Sequence, residues 1–131
     1  MVRAKQLSVS LENKPGRLAH LCRCLAERKI NIIALSVVET TEQSLVRLVV
    51  DKPAEAAKML KDCPLTFTET DVRLMELPNK VGALAELAEK LAARRVNIDF
   101  VYGSTGAGRA KAVIVLGASK LAAVERAVTA P

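Results

Sequence analysis

Within residues 5–11, the hydrophobic Leu7, Val9 and Leu11 alternate with polar residues, which is typical of a strand with one buried face. After a polar turn at residues 13–16, apolar side chains recur every three or four residues up to Lys29, and this spacing predicts a helix. Residues 30–38 and 45–50 are rich in β-branched and aliphatic side chains on either side of a polar turn, so we expect a β-hairpin there.

The same analysis predicts the later elements of the chain. A second helix should begin at Pro53, because the fixed φ of proline suits a first helical turn. Residues 65–68 predict either a short closing strand or the beginning of one long strand that continues to Leu77. The remaining predicted elements are a strand at 71–77, a helix at 82–95, a hairpin at 97–116 and a helix at 119–128.

The chain contains two copies of one pattern at a fixed offset of 66 residues. LENKPGRLA at residues 11–19 is matched by LPNKVGALA at residues 77–85. The same offset matches Leu21 with Leu87, Leu25 with Leu91, Arg28 with Arg94, Asn31 with Asn97 and Ile32 with Ile98. One register kept over this length without any insertion indicates a duplication.

The order of elements predicts an α+β fold of two ferredoxin-like repeats, each of the βαββαβ type. The second copy stops before its last strand, unless residues 65–77 form one strand that serves both halves. We expect domains at residues 1–69 and 70–131 that pack together, because about 60 residues alone bury only around 60% of their unfolded surface. Joining their strand edges would give one continuous antiparallel sheet with the helices on one face.

Composition and charge narrow the classes of function. The net charge is +6, but the basic residues are interspersed with acidic ones, and the aromatic side chains are limited to Phe67, Phe100 and Tyr102. Since single-stranded bases stack on aromatic side chains, we expect no nucleic-acid partner. No apolar run reaches the roughly 18 residues that cross a bilayer, and the first residues lack a signal-peptide core, so we expect a cytoplasmic protein without a membrane partner.

Groups for catalysis or metal binding are few. The single histidine, His20, is one position off the apolar stripe of the first helix, and no cysteine or carboxylate is obviously placed beside it. Cys22 and Cys24 would point about 200° apart on that helix, so they are not expected to share a metal ion. We therefore predict no enzyme activity, no cofactor and no metal site.

The repeated Asn-Lys-x-Gly turn is the best candidate for a binding site. Each turn opens a helix, whose first backbone N–H groups suit an anion such as a carboxylate. Gly16 and Gly82 lack Cβ and would let a ligand approach the backbone. Asparagine side chains can accept from an ammonium and donate to a carboxylate, and the candidates are Asn13, Asn31, Asn79 and Asn97. The alternative is that these residues only form the turn and cap the helix.

At these residues the chain resembles the ACT domain, a βαββαβ module that binds amino acids and regulates metabolic enzymes. The resemblance is carried by residues 11–18 with 29–32 and by residues 77–84 with 95–98, and free-standing tandem ACT proteins look most similar overall. It implies a ligand at the interface between two ACT domains, held by the turns, with Asn31 and Asn97 assisting. The implied binding residues are Asn13, Lys14, Pro15, Gly16, Arg17, Leu18, Asn31 and Ile32, and Asn79, Lys80, Val81, Gly82, Ala83, Leu84, Asn97 and Ile98.

The two copies differ, which predicts unequal sites. Val81 replaces the proline of the first turn, and Asp99 stands where the first copy has Ile33. We expect an amino-acid sensor that forms a homodimer and regulates a separate metabolic enzyme. Two alternatives remain open: a ligand-independent structural subunit similar to the small subunit of acetolactate synthase, and a nucleic-acid-binding module on a similar sheet.

Overall fold

The computed structural model describes residues 1–129. Over these residues the chain forms six strands and four helices in the predicted order. The elements are β1 Val2–Glu12, α1 Arg17–Glu27, β2 Ile32–Glu39, β3 Gln43–Val50, α2 Pro53–Asp62, β4 Phe67–Pro78, α3 Ala83–Ala93, β5 Phe100–Ser104, β6 Lys111–Gly117 and α4 Leu121–Thr129.

The open question about the middle of the chain is answered by β4. It is one strand of 12 residues, so the prediction of a long strand is confirmed and that of a separate short strand is wrong. The second copy ends with α4 within the described residues, as predicted. β1 begins at Val2, earlier than the alternation of apolar residues indicated.

The chain divides into two compact units, and the boundary between them crosses β1 and β4. One unit is Lys5–Thr70, and the other combines Met1–Ala4 with the described residues from Asp71 onward. Each of these two strands therefore contributes residues to both units. The predicted domains at residues 1–69 and 70–131 stay a prediction.

In the unit Lys5–Thr70, the strand order is β2, β3, β1 and then the beginning of β4. β1 and β3 are antiparallel, with Leu7 opposite Leu48. Alternate side chains of these strands are buried against α1 and α2 in one apolar cluster, whose largest members include Leu25 and Leu60. Each such leucine contributes about 1.5–3 kcal/mol when it is fully buried.

In the other unit, the order is β5, β6, β4 and then the first residues of β1. Met75, Leu91, Leu116 and Val124 are members of its buried apolar cluster, which packs the strands against α3 and α4. Residues 2–4 thus provide the strand neighbour that the end of the second copy does not supply. Because β1 continues upstream of the repeated pattern, the duplication alone could not reveal this use of the first residues.

The fold class is as predicted from the sequence: α+β, with two ferredoxin-like repeats and antiparallel strands. In each unit the helices cover the face that carries the buried apolar cluster. Among residues 1–129, none of the helices has the length and apolar character needed to cross a bilayer.

Candidate functional site

The two turns have matching backbone geometry. Gly16 has φ +87° and immediately precedes α1, and Gly82 has φ +86° and immediately precedes α3. Both values lie in the left-handed region, where a side chain strains the backbone. In the described part of the chain, nothing lies within 4 Å of a Cβ built on either glycine, so the backbone and not crowding requires glycine here.

Asn13 and Asn79 connect each turn to the loop of the neighbouring hairpin. The backbone N–H of Asn13 donates to the carbonyl of Glu42 at 2.9 Å, and its side-chain Nδ2 donates to the carbonyl of Thr40 at 3.3 Å. Asn79 makes the same two kinds of bond, each 2.9 Å long, to the loop between β5 and β6. Both asparagines therefore stabilise the turn, and the side-chain oxygen of each amide is the group that can accept from a ligand.

The N-terminus of α1 is suited to an anion. Among residues 1–129, no side chain caps this helix, and its first turn has no acidic residue. Its first backbone N–H groups and the positive end of its dipole therefore favour a negatively charged group. The corresponding turn of α3 carries Glu86, which disfavours an anion.

Charges of both signs surround the first turn. Lys14 Nζ lies 2.9 Å from Glu12 Oε2, and Arg17 Nη2 lies 3.6 Å from Glu12 Oε1. The hydrogen bond from Lys14, followed by the positive charges of Lys14 and Arg17, lowers the pKa of Glu12 below its ordinary value. Glu12 is therefore ionised at neutral pH, and the turn offers both a carboxylate and two cations.

A depression of about 170 Å³ opens beside this turn. Its lining is Leu11, Glu12, Asn13, Lys14, Arg17, Leu18, Val37, Ser44 and Val46. Asn13, Lys14, Arg17 and Leu18 are among the predicted binding residues. The charged groups lie beside apolar side chains, of which Leu18 is 40% and Val37 44% exposed.

The second turn lacks several of these groups. At the offset of 66 residues, Pro78 stands in the place of Glu12, and Ala83 stands in the place of Arg17. Lys80 Nζ is 3.9 Å from Glu86 Oε1, and Val81 is fully exposed. The predicted difference between the copies therefore extends to the charges available for a ligand.

Comparison with known proteins assigns the family. Residues 2–126 match the family model of the ACT domain pair. The chain belongs to this family. The resemblance found in the sequence is therefore confirmed, and ACT pairs are regulatory modules. The comparison with curated proteins found no match.

Solved structures share the fold of this ACT pair. Protein BT0572 from Bacteroides thetaiotaomicron has a TM-score of 0.90 at 35% identity, with 96% of this chain and 86% of that chain covered. The ligand-free regulatory subunit of aspartate kinase from Thermus thermophilus has a TM-score of 0.69 at 19% identity, covering 96% and 90%. The regulatory subunit of aspartate kinase from Thermus flavus has a TM-score of 0.67 at 20% identity, covering 96% and 90%.

Asn31 lies far from the turn of its own ACT repeat, and the side-chain Nδ2 of Asn97 donates to Asp99 Oδ1 at 3.0 Å. The backbone N–H of Asn31 donates to Asp51 Oδ1 at 2.9 Å, just after β3 ends. Since β1 and β3 are antiparallel, this position is near the beginning of β1, whereas Asn13 follows the end of that strand. Glu42, which bonds to Asn13, and Asp51 lie at opposite ends of β3, about 30 Å apart, the length of roughly nine strand residues. The binding role of Asn31, Asn97 and the adjacent Ile32 and Ile98 stays a prediction.

One cluster was missed by the sequence analysis. His20 Nε2 lies 3.7 Å from Cys24 Sγ, and Cys24 Sγ lies 3.6 Å from Cys63 Sγ. The expectation that no cysteine is placed beside His20 is therefore wrong. The four-residue spacing from His20 to Cys24 was a signal for the first contact. Cys63 approaches only through the packing of α2 on α1, which no local pattern indicates.

Proposed function

We propose that this ACT pair is a regulatory protein that binds a free amino acid at its first strand-to-helix turn. The observation that carries the proposal is the combination at this turn of an uncapped helix, two cations and one carboxylate beside an apolar depression. An amino acid has the complementary groups: a carboxylate, an ammonium and a side chain.

The charged groups suggest how the ligand is oriented. Its carboxylate would accept from the first backbone N–H groups of α1 and from Arg17, since charge-assisted hydrogen bonds at a helix N-terminus are strong. Its ammonium would lie against Glu12 and the side-chain oxygen of Asn13. Arg17, Glu12 and Asn13 all line the same depression, so one small molecule can contact them together.

The apolar part of the depression favours a ligand with a small or medium apolar side chain. Leu18 and Val37 supply the exposed part of this surface, and Leu11 and Val46 lie buried behind it. A charged side chain placed against these apolar residues would lose its hydration there, whereas an aliphatic one is stabilised by the contact. The proposed ligand class is therefore an aliphatic amino acid.

The regulatory role needs a second protein and favours a second copy of the chain. β2 is at the edge of its unit and exposes Ile33, Leu35 and Val37, and an unpaired edge strand can pair with another chain. We include in the proposal a cytoplasmic homodimer that acts on a separate metabolic enzyme. In this arrangement Val37 would connect the ligand to the edge, because it also lines the depression.

A thermal-shift screen of the twenty amino acids, followed by calorimetry, tests the proposal. A ligand at about 100 times its dissociation constant adds roughly 2.7 kcal/mol to the free energy of unfolding. Arg17→Ala should weaken binding of an aliphatic amino acid roughly tenfold or more, because it removes a charge-assisted hydrogen bond. Arg23→Ala, an exposed arginine on the same helix, is the matched control and should leave the affinity unchanged.

Two results would reject the site. If no amino acid stabilises the protein, the ligand-independent structural subunit becomes the better description. If an amino acid binds with the same affinity to the Arg17→Ala variant, the ligand lies elsewhere.

A further inference from the structure

Three potential metal ligands meet where α1 packs against the end of α2. His20 and Cys24 are four residues apart on α1 and therefore lie on one face of that helix. Cys63 directly follows α2 and is its C-cap residue. All three belong to the unit Lys5–Thr70, and their ligand atoms lie within 4.8 Å of one another.

Two of the three distances between these atoms match edges of a tetrahedron around a zinc ion, and the third, from His20 to Cys63, is at most 4.8 Å. With Zn–S near 2.3 Å and Zn–N near 2.0 Å, tetrahedral angles place two sulfur atoms about 3.8 Å apart and a sulfur and a nitrogen about 3.5 Å apart. The corresponding separations are 3.6 Å for Cys24 Sγ to Cys63 Sγ and 3.7 Å for Cys24 Sγ to His20 Nε2. The two cysteines are therefore already close to the spacing that an ion requires, and a rotation of the exposed His20 side chain can adjust the third distance.

An ion pair lies beside the cluster, and the end of α2 favours a cation. Arg28 Nη2 lies 2.9 Å from Asp62 Oδ2, so an ion pair connects the ends of α1 and α2 beside the cluster. The C-terminal end of α2, where Cys63 lies, carries the negative end of the helix dipole, which attracts positive charge.

We propose that His20, Cys24 and Cys63 bind one thiophilic metal ion, with Zn²⁺ as the first candidate. Two thiolates and an imidazole are ligands that Zn²⁺ prefers, and binding would release the protons of the two thiols. His20 is exposed, so the fourth position can be taken by water. Met59 Sδ, which lies 3.6 Å from Cys63 Sγ, is a second source of a fourth ligand for a softer ion such as Cu⁺.

The second ACT repeat provides an internal comparison. At the offset of 66 residues, Glu86, Lys90 and Thr129 stand in the places of His20, Cys24 and Cys63. The three ligands are thus a property of the first repeat and not of the shared fold. We therefore expect a stoichiometry of one ion per chain.

The experiment titrates the reduced protein, residues 1–131, with Co²⁺ and Zn²⁺ in the absence of oxygen. We expect one Co²⁺ per chain, with a sulfur-to-cobalt charge-transfer band and the visible bands of a tetrahedral site, and displacement of Co²⁺ by Zn²⁺. Cys24→Ser, Cys63→Ser and His20→Ala should each weaken Zn²⁺ binding by about 100-fold or more, since even the loss of an outer partner costs 10- to 100-fold.

Cys22→Ser is the matched control and should keep full binding, because the cluster among the described residues does not include Cys22. His20→Ala tests whether a loss of metal binding could instead result from misfolding. Because His20 is exposed, this variant should keep the thermal melting curve of the parent. The proposal is overturned if reduced protein takes up no Co²⁺ or Zn²⁺ at micromolar concentration, or if the three variants bind as well as the parent. Formation of a Cys24 to Cys63 disulfide in air, without any tetrahedral Co²⁺ spectrum, would overturn it as well.

Discussion

Arg73 Nε lies 2.6 Å from Glu125 Oε1, which connects β4 to α4 within one compact unit. Arg73 is only 7% exposed, on the face of β4 that carries the apolar cluster. Arg3 Nε, from the first residues of β1, lies 3.2 Å from the same carboxylate oxygen. Hydrogen bonds from Arg3 and Arg73 lower the pKa of Glu125 below its ordinary value. Glu125 thus serves as the counterion of a buried arginine.

The Glu125→Gln variant should be less stable than the parent near neutral pH, because it leaves the charge of Arg73 buried without its counterion. A lowered folded-state pKa means that this contribution is present above the ordinary glutamate pKa of about 4.3 and is lost as the pH falls through the folded-state value. The stabilities of variant and parent should therefore converge in acid. Urea unfolding over a series of pH values measures this.

Arg3→Gln is the control for that experiment. The Arg3 side chain is 78% exposed, and ion pairs at such positions contribute little to stability. Its effect should therefore be much smaller than that of Glu125→Gln. A difference between Glu125→Gln and the parent that stays constant down to strongly acidic pH would contradict the role given to the carboxylate.

A second prediction concerns the left-handed backbone conformation of Gly16 and Gly82 at the two turns. Gly16→Ala and Gly82→Ala should each reduce the free energy of unfolding by about 1–2 kcal/mol, the cost of an L-residue in this conformation. Gly16→Asn should cost less, because asparagine tolerates the left-handed region better than alanine. Urea unfolding of the three variants measures the series. A gain in stability for either alanine variant would be inconsistent with the observed φ values.

Phe100 and Gly117 are cross-strand partners, and the ring of Phe100 covers the glycine. A Cβ at position 117 would overlap the ring, so Gly117→Ala should displace Phe100 and disturb its stacking on Tyr102, where the ring centroids are 6.4 Å apart. In a Phe100→Ala background the added methyl group meets no ring and should cost less. A double-mutant cycle by urea unfolding should give a coupling of about 0.5–3 kcal/mol. Additive effects would show that the ring does not limit position 117.

The unequal turns predict how many ligands the ACT pair binds. Calorimetry with an aliphatic amino acid should give one site per chain, because the second turn has Pro78 and Ala83 where the first has Glu12 and Arg17. Lys80→Ala should leave affinity and stoichiometry unchanged, whereas Lys14→Ala should weaken binding. Two equal sites per chain would contradict this assignment. They would instead favour a ligand that contacts only the glycine turn that both repeats share.

Local patterns predicted most of the fold because they report which face of an element is buried. The alternation at residues 5–11 and the spacing of Leu21 and Leu25 both reflect burial in the same apolar cluster. The length of β4 was left open, because two patterns met at its polar middle without a turn signal such as glycine or proline between them. The early start of β1 was missed because residues 2–4 belong to a unit that lies far along the chain.

At the candidate sites, the sequence predicted only those features that depend on residues close together along the chain. The glycine turns followed from the repeated motif, since backbone conformation is a local property. The use of Asn13 to connect the turn with Thr40 depends on how the hairpin folds back. The contact between Cys24 and Cys63 spans 39 positions, and only helix packing creates it.

The inclusion of Met1–Ala4 in the unit that begins at Asp71 affects how the protein can be divided. A fragment that starts at Asp71 would leave β4 without one of its neighbours, and it would separate Arg3 from Glu125. Such a fragment would need a peptide of the first residues added in trans, as in donor-strand complementation. A tag attached before Met1 would likewise lie close to the ion pair between Arg3 and Glu125 of α4, far along the chain.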